Sequence, residues 1–198
     1  MKAFGRRIRH LVLLLVSVVI AAATSTAFAA PQISIATKHY SVHGSTAQEL
    51  RQDLNRRGVK GSDGRTYDAH TAWYIRWSYD YTTRGSSCGI RSVRTSVTVT
   101  YTLPKWSGGA KASQELWNKW HRYLKDLKTH EDGHRDIGIA AAAEIEKTIA
   151  KLPPAANCRE MEAKANAAGH SVIDEYRSKE SFYDLRTLHG RTQGAVFP

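Results

Sequence analysis

The chain predicts an α+β fold, a small antiparallel sheet laid against one long helix, and three observations carry that expectation. Between residues 113 and 151, apolar or buried-type side chains recur at steps of three and four, the period of a helix with one covered face. Residues 71–79 and 93–103 alternate large apolar side chains with small or polar ones, the period of a half-covered strand. Gly85-Ser86-Ser87-Cys88-Gly89 lies between those two segments and supplies the turn that makes them a hairpin.

The first 29 residues set the address. Lys2, Arg6, Arg7 and Arg9 form a basic start without an acidic residue, residues 11–23 form an apolar run, and Ala27-Phe28-Ala29 supplies small residues one apart. That order is the signature of a secretory signal peptide, so residues 1–29 are expected to be cleaved after Ala29. The apolar run is shorter than the about 20 residues a spanning helix needs, and an uncleaved anchor is the competing reading. Residues 30–198 then form one exported domain, periplasmic or extracellular, with no stable membrane insertion expected after cleavage.

Residues 31–43 read as extended, and Ser45 with Gln48 fits a capping box opening a helix over 46–57, with Leu50 and Leu54 buried. Gly58 and Gly61-Ser62-Asp63-Gly64 read as a loop. In the first hairpin strand, Trp73, Ile75, Trp77 and Tyr79 share a face; in the second, Val97, Val99 and Tyr101 do, and Pro104 is expected to end it. Ser113 is the expected N-cap of the long helix. Its stripe comprises Leu116, Trp120, Tyr123, Leu127, His130, His134, Ile137, Ala141, Ile145 and Ile149. A second helix is expected over 159–177, and residues 181–198 read as loop.

The chain carries 29 Lys and Arg against 18 Asp and Glu, a net charge of +11; loss of the four basic residues at the start leaves 25 against 18. A surplus of that size reads as a solvated basic surface, with affinity for anionic envelope polymers as an alternative; no nucleic-acid motif accompanies it, so nucleic acid is not an expected partner. The two cysteines, Cys88 and Cys158, are expected to be bridged in an oxidising compartment. Such a bridge closes a loop of about 70 residues and contributes about 4 kcal/mol on the chain-entropy model. Two thiolate metal ligands are the alternative, better suited to a reducing compartment.

His130-Glu131-Asp132-Gly133-His134 is an H-E-x-x-H motif set in the stripe of the long helix. Positions i and i+4 lie about one turn apart on one face, so two imidazoles there can hold a single zinc ion. Glu131, one step along, can take a proton from water acidified by the metal. The alternative, two satisfied core histidines, would place unpaired polar groups on an apolar stripe at a cost. Gly133 weakens the helix by about 1 kcal/mol relative to alanine, which makes sense where another group must approach closely. A third ligand is required downstream. The downstream candidates are Glu144, Glu146, Asp174, Glu175, Asp184, His170 and His189; Glu144 and Glu146 are too far along the same helix, and spacing does not choose between Glu175 on the next helix and His189.

The ordered set of segments resembles a bacterial family described as predicted secreted zinc-dependent proteases, long filed as a domain of unknown function. The resemblant segments are Tyr40-Ser41-Val42-His43-Gly44-Ser45-Thr46 with Glu49-Leu50, Thr71-Ala72-Trp73 with Trp77, Cys88, and Leu103-Pro104-Lys105-Trp106. They continue with the H-E-x-x-H motif, Tyr183-Asp184, Thr187, His189-Gly190 and Gln193-Gly194. The resemblance implies a zincin-type metallopeptidase domain over 30–198, one zinc per chain, His130 and His134 as ligands and Glu131 as general base. It favours His189 as third ligand, with Glu175 as runner-up. Tyr183 or Arg191 is a candidate stabiliser of the transition-state oxyanion, packing of the loop being the alternative for either, and Asp184 is a candidate carboxylate to orient a ligand histidine.

The expected function is therefore hydrolysis of peptide bonds in a peptide or protein substrate, with an amidase acting on cell-wall peptides as a variant. Two other classes stay open: a non-catalytic zinc-binding envelope protein, and a basic domain that binds envelope polymers.

Overall fold

A computed structural model describes residues 30–108 and 112–198. The expected signal peptide, residues 1–29, lies outside them. The described residues are α+β, with three helices and a small sheet among them, and their elements run β1 (Gln32–Val42), α1 (Ala47–Arg57), β2 (Val59–Lys60), β3 (Thr66–Tyr67), β4 (His70–Arg84), β5 (Ser87–Trp106), α2 (Gln114–Ala150) and α3 (Cys158–Thr187). A 3-10 turn follows at Arg191–Gln193.

The main sheet has the order β1-β5-β4. β4 and β5 form the expected hairpin, with Trp73 opposite Val99 and Ile75 opposite Val97. The hairpin is longer than its alternating core, because the strands continue pairing to Arg84 and Ser87 around Gly85. The sheet is mixed rather than antiparallel: β1 pairs with the other edge of β5 in parallel, from Gln32 beside Ser96 to Val42 beside Trp106. A helix and three strands separate β1 from β5, so no tight turn dictates their relative direction. Nor does Pro104 end β5. Pairing with β4 stops at Thr102, so Pro104 has a neighbour only on the β1 side and its missing N–H is tolerated there. The expected loop at Gly61–Gly64 connects the two-residue strands β2 and β3, which pair as a small hairpin.

Both long helices cover one face of this sheet. Ile75, Val93, Val97, Val99 and Tyr101 meet Ala141, Ala142, Ile145 and Ile149 of α2 and Ala165 and Val172 of α3 in one core. A second core joins α1, through fully buried Leu50 and Leu54, to Trp120, Tyr123 and Leu127 at the start of α2. Each such side chain contributes about 1.5–3 kcal/mol on burial. The α2 stripe matches the expected one, except that buried Gly138, under the Trp73 ring, takes the place of half-buried Ile137. Ser113 caps α2, its hydroxyl accepting from the Leu116 N–H at 3.3 Å.

Cys88 and Cys158 are bridged, tying the start of β5 to the first residue of α3. The α1 capping box is built one residue later than expected. Thr46 accepts from the Glu49 N–H at 3.2 Å, and the Glu49 carboxylate accepts from the N–H groups of Thr46 and Ser45. The longest departure concerns α3, which continues ten residues beyond 177, to Thr187. No glycine or proline interrupts residues 178–189, so nothing local stops it there.

Candidate metal centre

The α2 stripe presents His130, Glu131 and His134 as its only buried polar side chains in that turn, exposed by 4%, 3% and 9%. They face the extra turns of α3, which runs back along α2 and brings Glu180, Tyr183 and Asp184 opposite the two histidines. The α3 extension is thus what completes the site.

Both imidazoles point the same nitrogen at one oxygen. His130 Nε2 lies 3.2 Å, and His134 Nε2 3.0 Å, from Oδ1 of Asp184. One ligand atom from each of His130, His134 and Asp184 lies within 4.8 Å of the others. The outer nitrogens are already engaged. His130 Nδ1 is 2.9 Å from Gln193 Oε1, and His134 Nδ1 is 3.3 Å from Glu180 Oε1. An acceptor on Nδ1 holds a proton there, so that Nε2, which faces Asp184, is the nitrogen left to give up its proton and ligate a metal, the arrangement metal-binding histidines adopt. Two nitrogens and one carboxylate oxygen, converging with their outer atoms satisfied, form a donor set suited to zinc.

The electrostatics follow from these contacts. Burial disfavours a charged His134, but hydrogen bonds to Asp184 and Glu180 outweigh it and push the imidazole up to about 9. Burial works against Asp184 as well, yet the two histidines hold its carboxyl far below the usual carboxylate range. Glu131 moves the other way. Burial raises it, opposed by the Thr71 hydroxyl, which donates to Oε2 at 2.6 Å from β4, and by the charges of His134, His130 and His70. A buried carboxylate with a raised pKa beside a cluster of converging donor atoms marks a candidate functional site.

Tyr183 explains Gly133. Its ring stacks on His130 at 5.1 Å and meets His134 edge-on at 5.1 Å, and its hydroxyl donates to the His130 carbonyl at 3.1 Å. A Cβ on Gly133 would come within 2.2 Å of that hydroxyl oxygen. The expected oxyanion role for Tyr183 does not match this placement, because its hydroxyl is spent on backbone and on the Gln193 amide. Arg191 is exposed in the terminal 3-10 turn.

The candidate third ligands separate clearly. Asp184 occupies the inner position for which His189 was favoured. His189 sits at the rim, its side chain 45% exposed, with Nδ1 3.5 Å from Asp184 Oδ2 and its ring 5.1 Å from that of Tyr67. Glu175 lies away from the group, 59% exposed and paired with Lys179 at 2.7 Å. Sequence reasoning gave no role to Glu180 or Gln193. Glu180 stands one helical turn before Asp184 on the same face, a signal that becomes readable once α3 is extended. Gln193 arrives through a left-handed run, Leu188, His189 and Gly190, at φ of 50°, 51° and 81°. Gly190 is needed within it, since a Cβ there would lie 2.9 Å from His130 Cγ.

A family model described as "Bacterial protein of unknown function (DUF922)" matches residues 37–190, a span that includes His130, Glu131, His134 and Asp184. No curated protein and no solved structure matches the chain.

Proposed function

The chain belongs to this bacterial family of unknown function, DUF922, and we propose that it is an exported zinc-dependent peptidase of zincin type with one metal held by His130, His134 and Asp184. The observation that carries this reading is the convergence of both Nε2 atoms on Asp184 Oδ1 with the buried Glu131 carboxylate alongside. Zinc bound there would supply Lewis acidity toward a peptide carbonyl and lower the pKa of a water molecule. Glu131 would take a proton from that water as its oxygen adds to the carbonyl carbon, and would then pass the proton to the amine nitrogen as the C–N bond breaks. Thr71 holds Glu131 in place, while Gln193 and Glu180 hold the two imidazoles. The Cys88–Cys158 bridge supports an oxidising compartment, and no helix among the described residues is long and apolar enough to cross a membrane.

The test is zinc content beside hydrolysis of casein. Wild-type chain is expected to hold about one zinc, Asp184→Ala to lose most of it, and Glu131→Gln to keep the metal while hydrolysis falls at least about a hundredfold. A chain that takes up no zinc on reconstitution overturns the reading. One observation favours a second reading, a closed, non-catalytic zinc site: the rim position of His189 would let it serve as a fourth ligand. In that case His189→Ala weakens zinc binding and Glu131→Gln changes nothing.

A further inference from the structure

Away from the metal centre, three of the five tryptophans gather at the other end of α2. Trp106, Trp117 and Trp120 line a surface groove of about 590 Å³ together with His39, Lys105 and His121. Trp120 is buried and packs beside Trp106, whose indole N–H donates to the Gly44 carbonyl at 3.0 Å, so these two form the floor. Trp117 is different. It is 42% exposed, and its ring stacks on His121 at 3.5 Å and 26°. His121 is itself fixed, with Nδ1 2.9 Å from the Trp117 carbonyl. The result is a flat indole face held toward solvent in one orientation, so a ligand lying on it meets a ring with little rotamer freedom left to lose. Nothing in the proposed peptidase chemistry uses this groove, which lies about 20 Å along α2 from His130 at roughly 1.5 Å per residue.

The rim has one sign of charge. Lys105 lines the groove, and Lys125 stands one helical turn beyond His121 on the same α2 face. Among the described residues, neither is paired with a carboxylate. We propose that the groove binds an acidic polysaccharide, with one sugar ring stacked on Trp117 and uronate-type carboxylates meeting Lys105 and Lys125. A pyranose presents an apolar C–H face that suits indole, and hydroxyls around its edge that suit His39 and His121. Single-stranded nucleic acid is a poorer match, because it stacks successive bases on several exposed rings and this groove exposes one. The basic surplus of residues 30–198, 25 against 18, gives such a polymer a favourable field to enter.

The experiment titrates the purified chain with oligogalacturonate, following tryptophan fluorescence and heat, beside dextran of matched length and a single-stranded oligonucleotide. Oligogalacturonate is expected to bind, more weakly as salt is raised, and roughly tenfold more weakly to Trp117→Ala, with Lys105→Glu also weakened. Alanine suits an exposed helical position, and unchanged circular dichroism and zinc content establish that the variant is folded. Absence of binding overturns the proposal. So does salt-dependent binding that Trp117→Ala leaves intact, since diffuse charge then suffices. Equal binding of dextran removes the acidic requirement, and preferential, Trp117-dependent binding of the oligonucleotide replaces the polysaccharide with nucleic acid. None of these outcomes depends on peptidase activity.

Discussion

Single side chains at the metal centre divide into those that would touch the metal and those that aim them, and the second kind makes the sharper prediction. Gln193 contacts no reacting atom, yet it accepts from His130 Nδ1 at 2.9 Å and donates to the Tyr183 hydroxyl at 3.1 Å. Gln193→Leu keeps approximate volume but frees the His130 ring to change tautomer and tilt. Loss of such a partner typically costs 10–100-fold in metal affinity, so competition titration against a zinc chelator is expected to show a loss of about that size. A variant with wild-type affinity would demote Gln193 to packing. Asp53 supplies a prediction of another kind. It is buried under Arg56 and Arg57 and accepts from the His43 N–H at 2.8 Å. Burial would raise its carboxyl, but these partners hold it far below the usual range. A lowered folded pKa means the contribution is complete above the ordinary carboxylate pKa of about 4 and fades as pH falls below it. Asp53→Asn is therefore expected to destabilise the chain by about 1–3 kcal/mol at pH 7, with the gap to wild type narrowing in acid. Denaturant titrations at pH 7, 5 and 3 read this directly.

At the scale of elements, what was legible in the sequence was whatever a local pattern encodes. The α2 stripe, its Ser113 cap and the Trp73-Ile75-Trp77 face of β4 are set by spacing along one segment, and the structure has them all. The parallel seat of β1 on β5 was not legible, because its register joins residues more than sixty apart and no local signal states which edge β1 will take. The capping box was half legible. Ser45 with Gln48 and Thr46 with Glu49 overlap by one residue, and the charged alternative forms because a carboxylate is favoured by the field of a helix N-terminus. The end of α3 was misjudged for a physical reason too. Threonine and arginine read by composition as loop, whereas the helix is ended by left-handed backbone at Leu188. That error hid the convergence of Asp184 on the two histidines, because Asp184 acquires its position only if residues 178–187 are helical. His130, Glu131 and His134 were readable for the opposite reason: one helix turn contains them.

For the whole molecule, the proposed reading makes proton and metal competitors for the same centre. The partners of His134 push its imidazole up to about 9, so zinc bound there would have to displace a proton at neutral pH. The raised pKa stabilises the metal-free fold fully below about 6.5, and that contribution is lost as pH rises through about 9. Zinc affinity is expected to climb with pH over the same interval. Calorimetry at pH 7.5 in buffers of different ionisation enthalpy should count about one proton released per zinc bound; a count of zero would mean that His134 is neutral before the metal arrives. The order of the elements along the chain has a consequence for biosynthesis. Sheet, hairpin and α2 are all encoded ahead of Glu180, Asp184 and Gln193, so a ribosome makes the entire scaffold before it makes the residues that close the donor set. A nascent chain, or one stalled before Glu180, carries the H-E-x-x-H helix without its carboxylate partner. Under the proposed reading, proteolytic competence is withheld until synthesis has passed the last turns of α3, a delay that protects the cell making it.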